Sequence, residues 1–332
     1  MTLSLLRWAG GKGKQLNQLL PLIPRSRVYV EPFGGGASVL LNRERMEVEV
    51  YNDLDGALVN LFEVVRDEAR FTDFAQRLDF TPYAKAEFER SLAFDDVEDS
   101  VERARQFYTV INQSISGKRL ASRGDWARGR ADNLAERWFA RHEKLGSIHD
   151  RIKHVQIECR DALDVLQEWD TPDTTFYCDP PYILDTRSKR KYYAVEPGDE
   201  YHERLVDVLL DVKGNVILSG YDHPIYRRLL DRGWWTDVYN ARATMEVTKT
   251  GGTKRERVEI VYRNPRCAEL GISPPLTWDD DNRELILGQD VHHQHVVDNF
   301  PSVPQPIPVP VASSNGRQTI PLHVLLEKLR SR

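Results

Sequence analysis

The chain has 332 residues, of which 40% are hydrophobic and 29% charged, with 7 Trp, 13 Tyr and 11 Phe. That is apolar material enough for a sizeable core and excludes global disorder. At about 100–200 residues per domain the length predicts two domains, and the formal net charge of −5 excludes a uniformly basic coat for nucleic acid.

Arg27-Val28-Tyr29-Val30-Glu31-Pro32-Phe33 predicts a short strand stopped by Pro32 and by Gly34, Gly35 and Gly36. A helix over 37–45 follows, then a second strand over 47–51 ending at Asn52-Asp53. Strand, glycine turn, helix and strand open a parallel α/β nucleotide-binding sheet. From about 56 to 150 the pattern turns helical. Leu58, Leu61, Phe62 and Val65 recur at helical spacing, as do Phe71, Phe74 and Leu78, without strand alternation. This stretch reads as a helical insertion.

Strand character resumes at Val155-Gln156-Ile157-Glu158 and at Thr175-Phe176-Tyr177-Cys178, which runs into Asp179-Pro180-Pro181-Tyr182. An amphipathic helix over 201–212, a buried strand over 215–219 and a helix over 224–232 come next. Residues 236–262 read as two strands joined at Thr250-Gly251-Gly252, a hairpin signal. Beyond about 266 the composition shifts. Five prolines fall between 301 and 310, and Ser313-Ser314-Asn315-Gly316 follows, which is linker chemistry. Residues 320–329 predict a short amphipathic helix that fits its own chain or a partner.

The chemistry concentrates at Asp179-Pro180-Pro181-Tyr182. A proline pair after an apolar strand stops the ladder and leaves carbonyls without competing partners. Asp179 adds a second acceptor and Tyr182 a flat aromatic surface, a set that suits an exocyclic amino group on a planar base. Gly34-Gly35-Gly36 lets backbone approach a ligand at a helix N-terminus, or serves as a plain strand–helix turn. It is not the dinucleotide GxGxxG, and Gly10-Gly11-Lys12-Gly13-Lys14-Gln15 lacks the Ser or Thr of a P-loop. Asp53, at a strand end, is placed to accept ribose hydroxyls or to cap a helix.

Four blocks in order resemble the alpha-group, class D12 DNA adenine-N6 methyltransferases of the Dam family. They are Arg7-Trp8-Ala9-Gly10-Gly11-Lys12, Val30 to Val39, Asn52-Asp53 and Asp179-Pro180-Pro181-Tyr182, with a looser match at Thr250 to Glu259. The resemblance covers residues 5 to about 264. It implies a Rossmann-like S-adenosylmethionine-dependent methyltransferase sheet with an inserted helical target-recognition domain. By that reading 1–56 and 151–265 are catalytic, 57–150 recognise DNA, and 266–332 form a Pro-rich extension. It implies a donor site of Trp8, Lys12, Glu31, Phe33, Gly34, Gly36, Asp53, Asp161 and Asp179, a catalytic block of Asp179, Pro180, Pro181 and Tyr182, and no metal requirement. Trp8 also fits a core anchor, Lys12 a surface lysine, and Asp161 a helix cap.

The implied substrate is double-stranded DNA, with the adenine flipped out to stack on Tyr182. The net charge hides three basic islands that would meet phosphate, at residues 117–144, 183–193 and 240–266. Within them Arg119, Arg123 and Trp126 align with the family's recognition segment, and Lys254 and Arg255 lie in the hairpin. The stretch 117–126 lacks apolar periodicity and predicts a loop presenting Arg119 and Arg123 to the groove. The family's common target is GATC, but the segment around 113–130 departs from its usual pattern. A cognate restriction endonuclease is a partner the resemblance leaves open. An RNA or protein-amide methyltransferase, and a silent DNA-binding module, are the competing readings.

Cys159, Cys178 and Cys267 form no CxxC pair and no disulfide framework. Cys178 precedes Asp179 in a buried strand, so an inert hydrophobe is expected, not a nucleophile. His292-His293-Gln294-His295 has no carboxylate to help hold an ion and reads as solvated tail. With no window near the ~18 apolar residues of a membrane span and no signal peptide, a cytoplasmic setting without membrane contact is expected.

Overall fold

The computed structural model describes residues 2–117, 119–129, 132–183, 198–241, 257–269, 276–279 and 284–287. Its strands are β1 (Val28–Glu31), β2 (Val48–Asn52), β3 (Gln156–Glu158), β4 (Thr174–Cys178), β5 (Asn215–Gly220), β6 (Trp235–Ala241) and β7 (Arg257–Arg263). They form one sheet in the order β3-β2-β1-β4-β5-β7-β6. β1 to β5 are parallel, and β7 runs antiparallel to both β5 and β6. Two short strands, β8 (Leu276–Asp279) and β9 (Glu284–Leu287), pair separately. The hairpin turn at Thr250-Gly251-Gly252, the basic island at 187–191 and the proline-rich tail lie outside the described residues.

The chain steps outward from β1 to β3 and then returns to lay β4 on the other flank of β1. Strand order therefore reverses between β1 and β4, and the crevice beyond the carboxyl ends of such strands is where open α/β sheets bind ligands. Val28 sits opposite Thr174 and Val30 opposite Phe176, so the glycine turn after β1 and the Asp179 block after β4 emerge side by side.

Successive strand residues point to opposite faces, and both faces are covered. Tyr29, Tyr51, Tyr177 and Ile217 enter one core; Val30, Val50, Phe176, Cys178 and Leu218 enter the other. Every residue of β4 and β5 is buried, as near-continuous apolar runs in a parallel sheet require. Helices Ala162–Glu168, Asp199–Asp211 and Pro224–Leu230 close the second face. The helical stretch closes the first: Leu58 of Gly56–Arg66, Phe107 of Ser100–Gln113, Trp138 of Leu134–His142 and Ile148 of Leu145–Ile152 share one core with Tyr29 and Tyr51. Carboxylate and amide caps start several of these helices. Asp55, Asp67, Asp99 and Asn133 each accept a backbone N–H of the first turn, an arrangement worth about 1 kcal/mol apiece.

The helix expected over 37–45 stops at Asn42. Asn42 turns its side chain to the N-terminal segment, accepting from Leu3 N–H at 2.7 Å and donating to the Leu3 carbonyl at 2.8 Å, and Arg43 is extended. Buried charge fastens the same region. Glu49 on β2 takes both terminal nitrogens of Arg151 at 2.5 and 2.8 Å, and Arg43 lies 3.7 Å over the Tyr29 ring. Removing one partner of such a buried pair costs about 3–5 kcal/mol. Among the described residues no helix is long and apolar enough to cross a membrane.

Candidate active site

The glycine turn is fastened to the end of β2. Gly34 lies so close to Tyr51 that a Cβ there would sit 2.2 Å from the ring, and Gly35 adopts a left-handed conformation with φ +49°. The Tyr51 hydroxyl donates to the Gly35 carbonyl at 2.9 Å, and Asp53 accepts the Gly35 N–H at 2.9 Å. Asn52 binds three loops together: it donates to the Pro32 carbonyl at 2.8 Å and exchanges hydrogen bonds with the backbone of Arg160. The carboxyl ends of β1, β2 and β3 are thus held in fixed relation.

These loops enclose a cavity whose wall includes Trp8, Lys12, Glu31, Phe33, Gly34, Gly36, Asp53, Asp179 and Pro181. Residues far apart in sequence but anticipated from it meet in this one crevice. Lys12 is buried, with its ammonium on both oxygens of Asp179 at 2.6 and 2.5 Å; it is not the surface lysine that sequence left open. Pro180 is buried and Tyr182 half-buried beside them. Tyr221 meets the Tyr182 ring edge-on at 4.5 Å, and the Lys12 ammonium lies 5.1 Å from its centre.

Burial sets the charge of the cavity. It pushes the Glu31 carboxyl up to about 8, against the opposing hydrogen bond from the Tyr29 hydroxyl at 2.7 Å. Asp53 rises to about 6 for the same reason, although the backbone N–H groups of Asp55 and Gly35 partly offset the effect. Burial also raises Asp179, while the adjacent Lys12 pulls it down. The Cys178 thiol is driven far up by its apolar surroundings, as an inert core residue should be.

Some anticipated residues stand elsewhere. Asp161 caps the helix Ala162–Glu168 through the Leu163 N–H and accepts the Tyr201 hydroxyl at 3.0 Å; its neighbours Arg160 and Ala162 line the cavity, and Asp161 does not. Arg119, expected to face a groove, folds inward. Its Nε donates to Asp55 at 2.7 Å, a terminal nitrogen reaches Asp95 at 3.1 Å, and the guanidinium covers Phe94 at 4.6 Å. Trp126 packs against Tyr83 at 5.6 Å with its indole N–H toward Gln113. Arg123 is exposed on the short 3-10 turn Arg123–Asp125. Lys254 and Arg255 lie outside the described residues.

Sequence reasoning passed over Tyr201 and Asp55, which also line the cavity. Tyr201 meets Phe33 edge-on at 6.4 Å. Its only signal was an aromatic at the start of an amphipathic helix. The signal at Asp55 was a cap position two residues after Asp53.

Comparison with known proteins identifies the family. The family described as D12 class N6 adenine-specific DNA methyltransferase matches residues 8–247. The DNA adenine methylase of Escherichia coli strain K12 is 23% identical over 274 residues, covering 77% of this chain and 93% of the relative. The type II methyltransferase M.MjaIII of Methanocaldococcus jannaschii is 26% identical over 258 residues, covering 68% and 87%. The DNA N-6-adenine-methyltransferase of Escherichia phage P1 is 26% identical over 252 residues, covering 73% of this chain and 33% of the phage protein. With β1 to β6, the helical stretch and the Asp179 block all inside the matched span, the chain belongs to the D12 class of N6 adenine-specific DNA methyltransferases, S-adenosylmethionine-dependent enzymes acting on DNA.

Proposed function

We propose that the crevice between β1 and β4 holds S-adenosylmethionine against an adenine rotated out of duplex DNA, and that Asp179 directs the transfer to N6. The observation that carries this reading is the meeting of the Asp179–Lys12 pair with Glu31, Asp53 and the glycine turn in one wall. A cationic donor favours the ionised form of the carboxyl groups that burial holds toward protonation, and a ribose diol fits the acceptor at Asp53. Phe33 and Tyr201 supply apolar surface beside them.

The donor contributes, when bound, an electrophilic methyl on a positive leaving group. The chain's own residues do the rest. The amino nitrogen of adenine is a poor nucleophile because its lone pair is delocalised into the ring. Asp179 and the Pro180 carbonyl accept its two N–H bonds, drawing it toward tetrahedral geometry with the lone pair free to attack. A carboxylate has about four acceptor positions, so Asp179 serves the base and Lys12 together. Lys12 opposes the burial that favours protonation of that carboxylate, and negative charge there stabilises the positive charge developing on nitrogen. Tyr182, braced by Tyr221, offers the stacking surface. The proton leaves the nitrogen for water after the methyl has arrived. Catalysis is positioning and electrostatics, with no metal step in this scheme.

A base in a duplex cannot reach this wall, so it must leave the stack, at a cost of a few kcal/mol that phosphate and groove contacts recover. We assign those contacts to residues 57–150 and to the β6–β7 hairpin, with Arg123 as the outward recognition side chain and Lys254 and Arg255 at the hairpin. Residues 266–332 stand outside this scheme. DNA as substrate supports a cytoplasmic setting, and the type II relative motivates a search for a cognate restriction endonuclease. Methylation-aware sequencing of DNA from cells expressing the chain should show N6-methyladenine at one defined sequence. Unmodified DNA, with methyl transfer by the purified chain to RNA or protein instead, would overturn the reading.

A further inference from the structure

A second cationic feature lies apart from the donor cavity. Arg7, Arg137 and Arg141 line one cleft together with Tyr83, Asn112 and Trp138, and among the described residues no carboxylate lines it. Arg137 reaches Asp132 at 3.1 Å, an exposed pair. Among the described residues the guanidinium groups of Arg7 and Arg141 have no ion pair or hydrogen bond. Burial, with Arg7 and Arg137 alongside, holds Arg141 below the usual range of a guanidinium.

The walls are rigid. Arg7 donates its backbone N–H to Asn112 at 3.0 Å, and a Cβ on Gly117 would sit 1.4 Å from the Arg7 carbonyl oxygen, so this backbone has no room to shift. The Trp138 indole N–H donates to the Thr81 carbonyl and the Tyr83 hydroxyl to the Ala127 carbonyl, both at 2.8 Å. Three arginines converging on fixed walls with a single exposed counter-ion repel one another until an anion joins them. Planar guanidinium groups match phosphate geometry, often through two parallel hydrogen bonds. The position is equally pointed. Arg7 adjoins Trp8 of the donor cavity, and Tyr83 packs on Trp126, three residues from the outward Arg123.

We propose that Arg7, Arg137 and Arg141 clamp one backbone phosphate of the DNA strand beside the target adenine. The proposal rests on DNA as substrate and adds where the duplex is held. The full-length chain and its Arg141→Gln, Arg137→Gln and Arg141→Lys variants would be titrated with fluorescent duplexes across a salt series. Arg141→Gln should flatten the plot of log affinity against log salt by about 0.9, the contribution of one phosphate contact. Its affinity should fall by the same factor for duplexes with and without the methylated sequence, Arg137→Gln should act in the same direction, and Arg141→Lys should recover most of the slope. Donor affinity and Tm should stay at wild-type values. An unchanged slope and affinity in Arg141→Gln would overturn the clamp, and so would a loss confined to the methylated sequence. A Tm rise with inorganic phosphate that the variants lose, at unaltered DNA affinity, would mark a free-anion site and overturn it too. A wild-type chain that fails to methylate duplex DNA would strike the enzymatic reading itself, whereas a methylating wild type with a silent Arg141→Gln strikes only the clamp.

Discussion

The carboxyl edge of the sheet and the segment 113–129 both carried candidate site residues in the sequence, yet they differ in how side chains find their direction. At the sheet edge, backbone decides. Pro32, the glycine turn and the Pro180-Pro181 pair terminate strands whose register is fixed by ladder hydrogen bonds, so Glu31, Asp53 and Asp179 arrive at one wall. In 113–129, side-chain partners decide. Asp55 and Asp95, distant in sequence, draw Arg119 inward, and Tyr83 and Gln113 take Trp126, leaving Arg123 exposed. A motif made of turn chemistry states where its residues go; a run of arginines does not.

That contrast can be broken most sharply at Gly34. Gly34→Ala would drive a methyl into the Tyr51 ring, which is itself packed on Phe62 at 4.3 Å, so the turn must move. Displacements of about 1 Å at a reacting site cost on the order of 10²-fold, and we expect donor affinity to fall by that order in calorimetric titration. Wild-type affinity would mean the turn does not shape the donor site.

The second test separates the two arginines. Arg119→Ala strips the cation from Asp55, both side chains being about one-tenth exposed, and should lower unfolding free energy in urea by about 3 kcal/mol. Arg123→Ala should leave unfolding unaltered and cost about 1–3 kcal/mol of discrimination at one base position. The reverse pattern would show that Arg119 leaves its partners to read DNA.

Two pH tests sharpen the same difference between buried charge that serves the site and buried charge that serves the fold. Burial lowers His142 to about 4, against a smaller opposing effect from Asp79. Its unfolded form binds a proton near 6.5, so this group's contribution to stability is complete above that pH and is lost as pH falls toward 4. His142→Phe should therefore lose less stability than wild type between pH 7 and 5, by up to ~2 kcal/mol. Equal losses in the two proteins would remove His142 from the account. At the sheet edge, Lys12→Met leaves burial opposed only by the Tyr182 hydrogen bond at Asp179, so the carboxylate stays protonated to higher pH. The acid limb of kcat/KM should move upward in pH. An unmoved limb would show that Lys12 does not tune Asp179.

The order of elements from β1 to β7 and the strand-end sites were legible because period-2 alternation, glycine and proline each constrain the local backbone. The sheet order was less so, since nothing local states that β4 returns to the flank of β1. Asn52 shows the limit within the site. Its amide ties the loops after β1 and β3 to β2, but a lone asparagine before Asp53 carries no mark of a partner more than a hundred residues away. Asp161 shows the opposite limit. Its capping of Ala162–Glu168 follows from local chemistry, whereas its bond to Tyr201 depends on how the helix Asp199–Asp211 is placed.

The division between holding the donor and directing the chemistry is tested most directly by single-turnover methylation with donor and duplex DNA both prebound, comparing wild type with Asp179→Asn. The amide side chain would keep the shape of the wall and one acceptor oxygen but lose the negative charge. The account predicts donor affinity close to wild type and a methyl-transfer rate lower by on the order of 10²–10³-fold, the usual cost of losing one preorganised electrostatic group. Methyl transfer by Asp179→Asn at the wild-type rate would contradict it.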